Sequence, residues 1–299
     1  MGRLRASLVL AGFFGLTLPL MPLQAALLRF SPQAARRLPH WYHRRVCRIL
    51  GIRLHITGEV APGAALIVAN HTSWLDIPVL SALAPVSFVA KREVGNWPFV
   101  ASLARLQRTV LVDRERRASA GDTAGEMLDR LAGGDKLVLF PEGTSSDGNR
   151  VLPFRSALFA AVKPSQGVGA GAAPAKDAVV QTVAIVYTRL HGLPLGRSAR
   201  WLVGWFGDME MGSHAWELLQ AGPLDVELAV GPPVRLDEFA DRKALALATE
   251  AEVRRSVTRI LRARAPGEPL DVVMPEGERR SRRPPPAGRG RAPRSGSPR

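Results

Sequence analysis

Cysteine is almost absent from this sequence, because Cys47 is the only one among 299 residues. This excludes a disulfide framework within the chain and a zinc site built from several cysteines. The six histidines, at 40, 43, 55, 71, 191 and 214, form no metal-ligand pattern. We therefore expect no bound metal.

Two motifs of common enzyme classes are also missing. No G-x-S-x-G elbow occurs, so a hydrolase-type serine nucleophile is not predicted. No G-x-x-x-x-G-K-[ST] loop occurs, so nucleotide hydrolysis has no support. GVGAG at 167–171 lies between Pro164 and Pro174 with no strand leading into it. We interpret residues 164–178 as a flexible surface loop.

Acidic residues are lacking at the C-terminal end. The net charge is +15, and residues 279–299 contribute eight arginines and no acid. Residues 265–299 are rich in proline, glycine and arginine and cannot bury a core, so they are predicted to form a disordered tail. Besides a purely solvated role, contact with anionic lipid or nucleic acid stays open for this tail.

Charge is absent from residues 6–28, a run of 23 positions that Arg29 ends. This run is long enough to span a bilayer. Three interpretations are open. The run is a secretory signal peptide with a poor cleavage site at 23–26, a spanning helix that tolerates Pro19 and Pro22, or a re-entrant hairpin that bends at these prolines.

Arginines flank the run on both sides. Because basic residues stay on the cytoplasmic side of a membrane, a segment that enters and returns is favoured. Residues 31–54 mix arginines with apolar side chains, which is typical of a membrane-surface stretch or of an amphipathic helix packed on a domain. We predict that residues 1–49 form a membrane-associated helical segment.

Residues 50–264 alternate between strand-like and helix-like segments. Apolar runs predict strands at 66–70, 86–91, 108–112, 136–140 and 179–187, and the alternating run at 225–230 predicts an edge strand. Helices are predicted at 97–107, 118–134, 154–163 and 237–264. This order indicates a single α/β domain with a largely parallel central sheet flanked by helices.

NHTSWLDIP at 70–78 places His71 and Asp76 five residues apart at the end of a predicted strand. α/β proteins bind ligands at such strand ends. On a straight helix the two side chains would lie about 140° apart, so only a turn that leads into a helix brings them together. The aspartate would then orient the histidine as a general base. Without that contact, the two residues are a strand-end histidine and a first-turn aspartate of separate roles.

FPEGTSSDG at 140–148 also follows an apolar strand. Glu142 is an acid directly after that strand, and Gly143 allows the backbone to approach a ligand closely. By itself the stretch is ordinary turn chemistry.

The two stretches together resemble the glycerolipid acyltransferases, the 1-acylglycerol-3-phosphate acyltransferase (PlsC-type) family. NHTSWLDIP is similar to the NHxxxxD block of that family, and FPEGT, about 70 residues later, to its third block. Residues 90–117 resemble the second block, and VAIVY at 183–187 resembles the fourth. The resemblance covers roughly residues 50–235.

The resemblance implies transfer of an acyl chain from an acyl-carrier-protein or coenzyme A thioester to a lysolipid hydroxyl, with no metal or resident cofactor. It makes His71 the general base and Asp76 its orienting partner, and the hydroxyl oxygen attacks the thioester without a covalent acyl-enzyme. The substrate-binding residues expected from the blocks and their surroundings are Asn70, Lys91, Arg114, Glu142, Gly143, Thr144, Arg150 and Arg155.

The third block departs from the family pattern. Many members have an arginine directly after F-P-E-G-T that binds the acceptor phosphate, whereas this chain has Ser145. Asp147 would repel a phosphate unless it points away, although Arg150 and Arg155 are placed to substitute. Residues 140–159 also resemble the lyso-ornithine lipid acyltransferases, whose acceptor carries a hydroxy-fatty amide and an amino-acid head group.

The main prediction is a membrane-bound O-acyltransferase that converts 1-acyl-sn-glycerol-3-phosphate to phosphatidic acid. Lyso-ornithine lipid O-acyltransferase is the alternative. We expect the enzyme at the cytoplasmic membrane, with its active site facing the cytoplasm and no nucleic-acid partner. A further alternative is a non-enzymatic adaptor that binds anionic lipid or nucleic acid, for which His71 and Asp76 would be dispensable.

Overall fold

A mixed sheet of nine strands organises the residues that the computed structural model describes, which are 1–112, 120–162 and 178–262. The strands are β1 Ile52–Thr57, β2 Ala65–Ala69, β3 Ser87–Lys91, β4 Val110–Val112, β5 Lys136–Leu139, β6 Val179–Leu190, β7 Leu193–Pro194, β8 Leu224–Val230 and β9 Val234–Arg235. The α-helices are α1 Gly2–Phe30, α2 Pro32–Leu50, α3 Asp76–Leu83, α4 Val100–Leu106, α5 Ala120–Ala132, α6 Met211–Ala221 and α7 Arg242–Arg262.

The strand order is β1-β8-β6-β2-β5-β3-β4, with β7 and β9 beside β6. Neighbouring strands are parallel except where β6 pairs with β7, β8 and β9. β2 lies between the parallel strands β5 and β6, so these three strands end at the same edge of the sheet. The segments that follow β2 and β5 therefore meet there, which confirms the predicted α/β fold.

Successive side chains of the central strand β2 pack on opposite faces of the sheet. Ala65, Ile67 and Ala69 belong to a hydrophobic core shared with α1, α2, α3 and α6. The intervening Leu66 and Val68 are equally buried, on the other face. Burial on both faces accounts for the uninterrupted apolar run that predicts this strand.

Helices α1 and α2 form an antiparallel hairpin that packs on the sheet domain. The Gln24 side-chain amide donates to the Ala35 carbonyl of α2 and to the Leu106 carbonyl of α4, in two hydrogen bonds of 2.9 Å each. Thr17 of α1 and Tyr42 of α2 share a hydrogen bond of 2.7 Å. The Arg5 guanidinium donates to carbonyls at the ends of α2 and α6.

The outer face of α1 is apolar and exposed. Its large exposed side chains are Leu4, Leu8, Phe14, Leu18, Leu23 and Phe30. Among the described residues, α1 is the one helix long and apolar enough to cross a membrane. A soluble protein would have to expose this surface to water, at a cost that a membrane removes.

Four expectations about the elements need correction. The chain does not bend at Pro19 and Pro22, because α1 continues through both and the turn falls at Ser31. The strand at 224–230 is not an edge strand, since β1 and β6 flank it.

The other two corrections concern element type. The last residues of the expected membrane-surface stretch, 52–54, belong to β1, and the expected helix at 154–163 is only a 3-10 turn over Ser156–Phe159. Most of the predicted loop at 164–178 and all of the predicted tail at 265–299 lie outside the described residues.

Candidate active site

His71 and Asp76 meet where β2 gives way to α3. His71 lies two residues after β2, and Asp76 is the first residue of α3. The turn between them brings His71 Nδ1 to 2.8 Å from Asp76 Oδ2. When Nδ1–H donates to the carboxylate, Nε2 is the ring nitrogen that can accept a proton. The histidine side chain is 20% exposed, which leaves the imidazole open to a substrate.

Asp76 is fully buried, and further donors surround its carboxylate. The backbone N–H groups of Thr72 and Ser73 donate to Oδ2 over 2.7 and 3.0 Å, and the Tyr187 hydroxyl donates to Oδ1 over 2.7 Å. Burial raises the pKa of Tyr187 well above its usual value and the Asp76 charge raises it further, so the phenol stays a donor. These bonds offset the burial of the carboxylate and fix its position.

Glu142 joins the two stretches that the sequence singles out. One carboxylate oxygen accepts the backbone N–H of His71 over 2.8 Å, and the other accepts that of Leu152 over 2.9 Å. The side chain is buried, and burial raises its pKa to about 7 although both backbone bonds oppose the shift. Its contacts within the described residues thus position the histidine loop.

Asn70 fastens the same loop to β6. Its side-chain amide donates to the Ile185 carbonyl over 2.9 Å, and its side-chain oxygen accepts the Ile185 N–H over 2.8 Å. These two bonds extend the parallel pairing of β2 and β6 by one residue beyond the end of β2. The loop therefore leaves the sheet from a fixed point.

The imidazole of His71 stacks on an aromatic side chain. The ring centroids of His71 and Phe140 are 4.2 Å apart, with planes 17° from parallel. Phe88 lies behind Phe140, with ring centroids 6.3 Å apart. Phe140 follows β5 directly, so the strand pairing of β2 and β5 also sets the orientation of the histidine.

Three loops are bonded to one another around the histidine. The Ser146 N–H donates to the His71 carbonyl over 2.9 Å, and the Trp205 N–H donates to the Thr72 carbonyl over 2.9 Å. The Ser145 hydroxyl donates to the Trp205 carbonyl. The residue that replaces the expected arginine is thus used to hold the loop at 205.

An apolar cavity of about 560 Å³ lies between the α1–α2 hairpin and the sheet domain. Trp74 and Ile77, which belong to the segment that carries the histidine and aspartate, line it together with Phe88. Phe13 of α1 and Leu103 of α4 line it as well. The cavity therefore extends from the segment that carries His71 and Asp76 to the α1–α2 hairpin.

The other predicted substrate-binding residues are more peripheral. Gly143 has a φ of 75°, which favours glycine at this turn. Four are exposed, namely Lys91, Thr144, Arg150 and Arg155. Arg114 lies outside the described residues. No group of three side chains suited to a metal ion occurs within the ranges that the structure describes.

Sequence reasoning missed Tyr187 and Phe140 as parts of the site. Tyr187 ends the run VAIVY, and β6 is long enough to carry it beyond the end of β2 to the buried carboxylate. Its polar hydroxyl at the end of a buried apolar run is the signal that could have indicated it. Phe140 looks like a plain core residue in sequence.

Comparisons with known proteins show the family to which this chain belongs. The family model described as Acyltransferase matches residues 52–186. The lyso-ornithine lipid O-acyltransferase of Brucella abortus is 47% identical over 254 residues, which is 85% of this chain and 94% of that protein. The lyso-ornithine lipid O-acyltransferase of Rhizobium meliloti is 39% identical over 89% of this chain and 93% of its own.

Two further proteins are more distant. The 1-acyl-sn-glycerol-3-phosphate acyltransferase of Neisseria gonorrhoeae is 29% identical over 69% of this chain and 74% of its own. The crystal structure of the 1-acyl-sn-glycerophosphate (LPA) acyltransferase PlsC of Thermotoga maritima has a TM-score of 0.60 and 22% identity, covering 89% of this chain and all of that one. The latter likeness concerns the fold alone.

Proposed function

Because the chain belongs to the acyltransferase family, we propose that it transfers an acyl chain from a thioester to the hydroxyl of lyso-ornithine lipid. It is an O-acyltransferase of lysolipids, and the proposal concerns its acceptor and the roles of its residues. The observation that carries the choice of acceptor is the 47% identity to a lyso-ornithine lipid O-acyltransferase over 94% of that relative. This order of acceptors reverses the one expected from the sequence alone.

The His71–Asp76 pair supports a general-base mechanism. Nε2 of His71 takes the proton of the acceptor hydroxyl while the oxygen attacks the thioester carbonyl carbon. Asp76, 2.8 Å from Nδ1, stabilises the imidazolium that forms. The carbon–sulfur bond then breaks, and the thiolate of the donor leaves with the proton from His71. The products are the ester and a free thiol, and no acyl-enzyme forms.

The remaining contacts support positioning roles. Glu142 and Asn70 hold the His71 loop through backbone bonds, and Phe140 sets the plane of its ring. We assign the apolar cavity to an acyl chain, since a long hydrocarbon fills such a volume favourably. The exposed apolar face of α1 would place this cavity at the cytoplasmic membrane, beside the lysolipid.

1-Acyl-sn-glycerol-3-phosphate is the second candidate acceptor. The exposed Arg150 and Arg155 follow the Glu142 turn and carry the positive charge that a phosphate needs. The relative from Neisseria gonorrhoeae bears that activity in its name, at 29% identity.

Washed membranes that contain the protein test the proposal. They are offered lyso-ornithine lipid and lysophosphatidic acid in parallel, each with acyl-carrier-protein and coenzyme A donors, beside membranes without the protein. Acylation of lyso-ornithine lipid at a clearly higher rate supports the proposal. Acylation of lysophosphatidic acid alone would establish the second candidate instead.

A further inference from the structure

The turn that follows Glu142 brings Asp147 close to the His71 loop. The Ser146 N–H donates to the His71 carbonyl over 2.9 Å. On the other side of Asp147, Gly148 lies so close that an added Cβ would be 3.1 Å from Thr72 Cγ2. Asp147 is thus held between two contacts with residues 71 and 72, beside the general base of the proposed mechanism.

The Asp147 side chain is partly exposed, and its carboxylate keeps acceptor positions for a ligand. It accepts the backbone N–H of Asn149 over 3.0 Å and the side-chain amide of Asn149 over 3.2 Å. A carboxylate has about four acceptor positions, so these two bonds leave others open. Partial burial disfavours the charge, but the Asn149 bonds and nearby Arg150 and Arg197 outweigh it and lower the pKa of Asp147.

Two arginines lie beside the same turn, in contact with Asn149. Arg200 donates to the Asn149 side-chain oxygen over 3.0 Å, and its Nε is buried without a hydrogen-bond partner among the described residues. The Arg197 carbonyl accepts from the Asn149 side chain over 3.2 Å. Burial lowers the pKa of Arg200, and the like charge of Arg197 lowers it further. Both arginines therefore lie near enough to each other and to Asp147 for their charges to interact.

We infer that Asp147, Arg197 and Arg200 form a zwitterion-binding subsite for the amino-acid head group of the acceptor. Asp147 binds the side-chain ammonium of the head group, and the two arginines bind its carboxylate. This inference rests on the proposed function and adds the residues that recognise the head group. A phosphate monoester carries only negative charge, so Asp147 would oppose it at the same place. Asp147 is then a residue that selects the acceptor.

The test compares lyso-ornithine lipid with the same lipid acetylated on its side-chain amine, which removes the positive charge. The enzymes are the wild type, Asp147→Asn and, as a matched control, Asp129→Asn at an exposed acid on α5. We expect the wild type and the control to prefer the free amine by at least about tenfold in kcat/KM, and Asp147→Asn to lose most of that preference. The fall in kcat/KM for the free amine should come from a higher KM more than from a lower kcat.

A second experiment tests the two arginines, one of which is exposed and the other partly buried. Arg197→Gln, at an exposed position, and Arg200→Gln are each assayed with lyso-ornithine lipid that carries a free carboxylate and with the methyl ester of that lipid. Both variants should lose preference for the free acid while keeping their preference for the free amine.

Three results would overturn the inference. Asp147→Asn could keep the full preference for the free amine, or lower transfer to both lipids equally, as a structural residue would. Failure of every enzyme to acylate either lipid, with lysophosphatidic acid still acylated, would overturn the proposed function and this subsite together. Either of the first two results, with transfer to lyso-ornithine lipid retained, would overturn the subsite alone.

Discussion

Asp76 shows how single residues determine this site. Its carboxylate accepts from an imidazole, two backbone N–H groups and a phenol, and none of its surface is exposed. A buried carboxylate is costly unless such donors surround it. The protein therefore holds one well-bonded charge against His71, where the proposed reaction produces an imidazolium.

Removal of the Tyr187 hydroxyl should slow the reaction without unfolding the protein. Tyr187→Phe deletes the donor to Asp76 Oδ1, and a hydrogen bond to a charged group is worth about 1.5–3 kcal/mol. We expect kcat/KM to fall about tenfold or more. Tyr42→Phe, which deletes the same atom in the α1–α2 hairpin, is the control. Equal losses in the two variants would argue against a specific role for Tyr187.

Glu142 should make the stability of the protein depend on pH. Burial raises its pKa from 4.5 to about 7, so the folded state binds this proton more tightly than the unfolded state does. The contribution is present below pH 4.5 and is lost as the pH rises through about 7. It amounts to at most about 3 kcal/mol in the free energy of unfolding.

Unfolding in detergent at several pH values measures this effect. The difference in stability between the wild type and Glu142→Gln should change by up to that amount between pH 5 and 8. Glu126→Gln, on the exposed side of α5, should leave the pH dependence as it is. If the free energy of unfolding changes with pH in the same way for the wild type and Glu142→Gln, the Glu142 proton is not involved.

The residues that the sequence predicts well are those at strand ends. Asn70, His71 and Glu142 directly follow apolar runs, and parallel strands bring those ends together. Tyr187 was not predicted, since its contact with Asp76 joins residues 111 positions apart. Such a contact depends on the length of β6 relative to β2, which no local pattern encodes.

Helices α1 and α2 form the element that sets this protein apart from an ordinary α/β domain. Their antiparallel contacts close the apolar cavity on one side, while the outer face of α1 stays apolar and exposed. Sequence predicts the apolar run but not the position of the turn. A proline removes one backbone bond, and the packing of α1 on α2 and α4 keeps the helix continuous around both prolines.

Charge on the outer face of α1 should release the protein from membranes. Leu8 and Leu18 are 64% and 55% exposed, and each buried carboxylate near the middle of a membrane-bound helix costs roughly 3 kcal/mol. We expect the double variant Leu8→Asp, Leu18→Asp to move largely into the supernatant after sedimentation.

Leu247→Asp is the matched control for this variant, because Leu247 is 69% exposed on α7. It should remain with the membranes as the wild type does. If the double variant also sediments with the membranes, α1 is not the main attachment.

Secondary structure was predicted best for segments whose residue pattern is typical of a single type of element. The parallel strands at the centre appear as apolar runs, whereas the expected helix at 154–163 shortens to a 3-10 turn. Pro153 and the Phe154 N–H bond to Glu250 of α7 hold the chain at its start. This tertiary bond overrides the local propensity for helix.

At the scale of the whole molecule, an apolar cavity lies between the α1–α2 hairpin and the strand edge that carries His71. The hairpin would bring the lysolipid, the cavity would hold the acyl chain, and His71 would activate the hydroxyl. The sequence predicts the general base from the stretch NHTSWLDIP and the apolar segment from the uncharged run at 6–28. The cavity arises only when α1, α3 and α4 pack together, so no single stretch predicts it.

The most direct test of this account is acyl transfer to lyso-ornithine lipid by the purified wild type and by His71→Ala. His55→Ala is the control, because His55 also lies beside a carboxylate, with Nε2 3.0 Å from Asp225 Oδ1, but on β1. Circular dichroism and membrane sedimentation should be alike for all three proteins. We expect His71→Ala to lose at least about 10³-fold in rate while His55→Ala stays active. A His71→Ala variant with nearly full activity would contradict it.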